Sequence, residues 1–135
     1  MGFWDTGAMG GDGPLDLQHG VARAATERIR KALMHSDDGE VFAAAHIAMD
    51  IQEAGILSFE YEMFEFYAGE KSLEALIRGS VSSVAIAEEW GTDPDDGNVI
   101  AREQVRRELL IRLDSLKARH QAERGLADET RDARS

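Results

Sequence analysis

The chain has 135 residues, with 26 Asp and Glu against 15 Lys and Arg, and a formal net charge of −11. That length fits one domain burying roughly two-thirds of its unfolded surface, and an acidic excess opposes nucleic-acid phosphates and anionic membranes, whose binders need Lys and Arg. There is no cysteine, which excludes disulfides, thiolate metal sites and cysteine nucleophiles; with no secretory leader and no apolar run near ~20 residues, the expected protein is cytoplasmic.

Along the chain, MGFWDTGAMGGDG (residues 1–13) is a glycine-rich arm unsuited to regular helix. Gly13-Pro14 then opens a helix, and Val21, Ala24, Ala25, Ile29, Ala32 and Leu33 repeat at helical spacing, with a break placed near Gly20. Ser36-Asp37-Asp38-Gly39 ends it. Asp37 stands three residues before Glu40, the spacing of a capping box. Val41, Ala44, Ala45, Ala48 and Ile51 form one face of the second helix, whose small side chains admit a close neighbour. Gly55 is the expected stop.

FEYEMFEFY, Phe59 to Tyr67, reads two ways. Phe59, Tyr61 and Met63 alternate with Glu60 and Glu62 as in a strand. Phe59, Met63, Phe66 and Tyr67 equally make a helical stripe, and helix is the favoured reading. Leu73, Leu76, Ile77, Val81, Val84 and Ala85 extend a helical period to about Trp90-Gly91. TDPDDGN, Thr92 to Asn98, is a loop. In the last helix Val105, Leu109, Leu113 and Leu116 form the core stripe, and Glu103 with Arg107 and Glu108 with Arg112 are i, i+4 pairs. After Ala118 the apolar pattern fades into a polar tail, residues 119–135, expected to fray. The fold expected is all-α: one bundle of four to five helices over residues 14–118.

Charge is unevenly placed. Residues 36–98 hold fifteen acids and two bases, Lys71 and Arg78, or −13; the first thirty-five residues balance, and the last thirty-seven carry +2. A field of this size attracts basic partners and also simply gives solubility.

Catalytic patterns fail on spacing. His46, Asp50 and Glu53 share a polar helical face, but no His has Glu three positions before it and H-E-x-x-H is absent. A surface His–Asp pair is the expectation there. From Asp93, a calcium loop would need Gly where Asn98 stands and Glu where Gln104 stands. Ser80, Ser82 and Ser83 lie in a helix without G-x-S-x-G, and no Lys follows the N-terminal glycines as in a phosphate loop. No metal or other cofactor is implied.

Gly2, Trp4, Gly7, Asp12 and Asp16 stand at intervals that resemble the MGxWxxGxxxxDxxxD start of bacterial domain-of-unknown-function family 4259, and Phe42 to Ala48, FAAAHIA, looks like that family's Ala-rich helix. Asp5, Met9 and Gly11 depart from its pattern. The resemblance implies a small, mainly helical bacterial protein and transfers no catalytic residue.

The leading expectation is therefore a non-catalytic acidic protein-binding module. Its concrete form is an immunity- or antitoxin-like inhibitor, or a phage-borne nucleic-acid mimic, masking a basic toxin or nucleic-acid-binding protein. Glu60, Tyr61, Glu62, Glu65, Tyr67 and Glu70 would make the contacts, with Tyr anchoring and Glu meeting Arg or Lys. The alternatives are a metal- or small-molecule-dependent helical enzyme using His46, Asp50 and Glu53, and a helical oligomerisation domain forming a homo-oligomer.

Overall fold

A computed structural model describes residues 12–35, 38–55, 59–65, 70–86 and 97–134. Among them the chain is all-α, with five helices and no strand: α1 Asp12–His35, α2 Asp38–Ala54, α3 Glu60–Phe64, α4 Leu73–Ser83 and α5 Gly97–Arg134. The chain divides into two compact units, residues 1–84 and 85–135. The span 14–118, expected as one domain, crosses that division.

The first unit is a bundle in which α1, α2 and α4 pack on one another and α3 packs on all three. In α1, Ala22, Thr26, Ile29 and Leu33 are buried at i, i+4, i+7 and i+11, the period of a core-facing stripe. The buried Thr26 hydroxyl donates to the Ala22 carbonyl (2.8 Å), so its burial leaves no unmet donor. The expected break at Gly20 does not occur, and the helix begins at Asp12, two residues before Pro14. Proline is tolerated there because N–H groups of a first turn lack intrahelical acceptors.

Helix α2 buries Val41, Phe42, Ala44, Ala45, Ala48 and Met49. With Ala at three of these positions, this face can admit a close neighbour. Gly55 ends the helix as expected. Its φ is +67°, and its N–H donates to the Ile51 carbonyl (3.2 Å). This left-handed cap suits glycine because no Cβ opposes the conformation.

The segment from Phe59 is helical over Glu60–Phe64, as favoured, and not a strand. Phe59 and Met63 lie buried one turn apart, and Met63 N–H donates to the Phe59 carbonyl (2.9 Å). In α4, Ser72 is the N-cap: its Oγ accepts from Ala75 N–H (3.3 Å). Leu73, Ile77 and Val81 are fully buried beneath it. The helix stops at Ser83, short of Trp90-Gly91, because Val84 turns to extended backbone at φ −64°, ψ 128°. Far along the sequence, the Arg30 guanidinium donates to the Lys71 carbonyl, tying α1 to the approach of α4.

In the second unit, α5 runs for 38 residues. Leu109, Leu113 and Leu116 are buried as expected, and Val99 joins them, while Val105 is half-buried. Arg106 Nη1 donates to both Glu103 carboxylate oxygens (3.3 and 3.2 Å), so Glu103 is held at i, i+3. The segment expected to fray after Ala118 is helix to Arg134. Side chains 121–126 are exposed there, which agrees with a solvated surface but not with a lost helix.

Candidate functional site

The short helix α3 places the expected contact residues. Burial of Phe59 and Met63 fixes one face against the bundle, and a five-residue helix then has little choice about what its other faces present. Glu60 and Glu65 are exposed, as is Tyr61 at 38%. Glu65 N–H donates to the Tyr61 carbonyl (3.0 Å) and closes the helix. Glu70 follows, exposed, before the α4 cap. These four side chains belong to a stretch, residues 59–70, with four acids and no base.

Glu62 differs from them. It is half-buried, and one carboxylate oxygen is shielded from solvent without a hydrogen-bond partner among the described residues. That oxygen is poorly placed to meet a group approaching from solvent. Tyr67, the sixth expected contact residue, lies outside the described residues, as do Phe66, residues 92–96 of the expected loop and the N-terminal Gly2, Trp4 and Gly7; Gly97 and Asn98, expected in that loop, belong to α5.

Sequence reasoning missed the carboxylate of Glu74. It is buried on α4, its side chain only 9% exposed, and pairs with Arg78 Nη2 at 2.9 Å. The signal was present: Glu and Arg four apart on one helix, the spacing recognised in α5. The pair takes up one acid and one of the two bases in the acidic middle, so the segment's net charge of −13 is unchanged.

His46 and Asp50 form the expected surface pair, Nε2 to Oδ2 at 3.1 Å, with both side chains more than half exposed. Glu53 is exposed on the same helix. Among the described residues no cluster of three or more His, Asp or Glu side chains could hold a metal ion. No helix among them is long and apolar enough to cross a membrane.

A second surface feature had no counterpart in the sequence reading. Between α1 and α2 lies an open groove of about 310 Å³, with Ile29, Ala32 and Ala44 forming its floor and Arg28, Glu40, Ala43 and Ile47 its rim. Ile47 is 50% exposed despite its size. The chain matches no protein-family model, no curated protein and no solved structure.

Proposed function

We propose that this protein is a non-catalytic, cytoplasmic binding module whose acidic α3 face occludes the basic surface of a nucleic-acid- or nucleotide-binding protein. The supporting observation is the arrangement at α3: exposed Glu60, Tyr61 and Glu65 carried on a turn anchored by buried Phe59 and Met63. Anchoring matters because ordering a flexible acidic segment on binding would cost about 0.5–1.5 kcal/mol for each immobilised side chain. Tyr61 supplies a part-exposed apolar ring on the same short segment as exposed Glu60 and Glu65, the composition of an interface anchor with a charged rim. The carboxylates steer a basic partner inward, raise the association rate and make it fall with salt. The resemblance of the N-terminal residues to domain-of-unknown-function family 4259 assigns no activity and is compatible with this reading.

The test reads the frames neighbouring this chain's gene for a basic protein and uses that protein, with labelled nucleic acid as its ligand; neighbours that include no such protein count against the proposal. Added chain should displace the nucleic acid saturably at one-to-one stoichiometry. The association rate should fall on the order of tenfold between low and physiological salt. Glu60→Lys with Glu65→Lys should slow association, and Tyr61→Ala should speed dissociation, at a cost of ~1–2 kcal/mol. Nucleic-acid binding by the partner that is indifferent to the chain would sink the proposal.

A further inference from the structure

The groove between α1 and α2 lies on the same bundle as α3 but has the opposite character. Two charged side chains line it, Arg28 and Glu40, and they cancel. The groove is therefore neutral on a chain of net charge −11, and offers no field to draw in the basic partner that suits α3.

The helix stripes that run on from it, beyond the residues lining the groove itself, are self-complementary. Only two residues separate α1 from α2, so the helices form an antiparallel hairpin. From its open end towards its connection, one stripe of α1 reads Leu17, Val21, Ala24, Arg28, at i, i+4, i+7 and i+11. In the same direction α2 reads Ile51, Ile47, Ala44, Glu40, at the same intervals. Both run large apolar, large apolar, alanine, charge, and the charges are opposite. Leu17 is 69% exposed and Val21 44%, so the apolar end of this face is open to water.

We infer that this face joins two copies of the chain as a two-fold dimer, with α1 of each copy laid on α2 of the other. A two-fold contact presents the same patch from both sides. Exchanging the helices sets Leu17 and Val21 towards Ile47 and Ile51, alanine towards alanine, and the Arg28 rim towards the partner's Glu40 rim. The alanines let the two hairpins approach closely enough to interdigitate. Elsewhere two copies repel through their net charge, which leaves this neutral face as the least opposed route to association.

Sedimentation equilibrium on the full chain over about 1–200 µM tests the inference. A concentration-dependent dimer is expected. Raising salt should strengthen it or leave it unchanged, because screening relieves the long-range repulsion more than the close Arg28–Glu40 pairs. Binding through α3 has the opposite salt dependence, so failure of either idea is told apart from failure of the other. Arg28→Glu and Glu40→Arg should each weaken the dimer roughly tenfold or more, and the double exchange should restore it to within about threefold. Ile47→Asp should abolish it, with helix content by circular dichroism retained since the side chain is half exposed. A chain monomeric throughout overturns the inference. So does a dimer indifferent to Ile47→Asp, or a double exchange that fails to restore association.

Discussion

Helix α4 and residues 117–126 of α5 are similar in length and opposite in what sustains them. Over the 11 residues of α4, Leu73, Glu74, Ile77 and Val81 are buried. Over residues 117–126 of α5 no side chain is buried. An isolated helix as short as α4 is marginal in water, because nucleation is costly. It exists here because α1, α2 and α3 pack on it. Residues 117–126 have no buried side chain to hold them, yet they extend a helix already nucleated upstream, where each added residue gains a hydrogen bond at little cost. A helix can therefore be a consequence of the core or an extension that the core does not notice.

Truncation beneath α4 should break the first case outright. Ile77→Ala removes a fully buried side chain and should cost ~3 kcal/mol in urea unfolding followed by circular dichroism, from lost transfer energy plus the cavity. A loss below about 1 kcal/mol would mean that α4 is not held by this packing.

The buried ion pair is the next largest expectation. Arg78→Ala removes the guanidinium paired with the buried Glu74 carboxylate and should cost ~2 kcal/mol, less than for a fully buried pair because the Arg78 side chain is 40% exposed. Adding Glu74→Gln removes the buried charge as well. The double variant should be more stable than Arg78→Ala alone, and a double-mutant cycle measures the difference.

The smallest effects come from two glycines, and they should differ in sign. A Cβ would meet nothing within 4 Å at either Gly55 or Gly125, so backbone conformation alone decides. Gly55 sits at φ +67°, and Gly55→Ala should destabilise by ~1 kcal/mol. Gly125 lies inside α5, and Gly125→Ala should raise helix content, favouring the helix locally by ~0.5–1 kcal/mol. Amide exchange along α5 should slow near residue 125 while α1 to α4 are unchanged. The same sign at both sites would refute the contrast.

The elements easiest to read were those whose burial and punctuation agree. Val41, Ala44, Ala45 and Ala48 announce the buried face of α2, and Gly55 its end. Phe59 and Met63 carry the helical reading of an acidic stretch that also alternates like a strand, and only the side chains packed beneath decide between them. The C-terminus of α4 was not legible, since Val84 and Ala85 continue the apolar period past the point where the backbone turns extended. The tail was misread for a related reason: a missing apolar stripe removes the signal of burial, not the helix propensity of Ala, Glu, Gln and Arg. In the candidate site, exposure of Glu60, Tyr61 and Glu65 followed from the anchors below them. The half-burial of Glu62 did not, because it depends on neighbours brought in by other helices. The α1–α2 groove was hidden because its two stripes acquire meaning only when the hairpin sets them side by side.

The bond from Arg30 to the Lys71 carbonyl joins positions 41 apart, and α2 and α3 both lie inside the span it closes. The acidic turn is thus held in a loop pinned at its base rather than on a free arm. Preorganisation of this kind moves the entropic cost of ordering from the moment of binding to the moment of folding. On the binding reading proposed above, one guanidinium on α1 then has a part in how tightly α3 can be gripped.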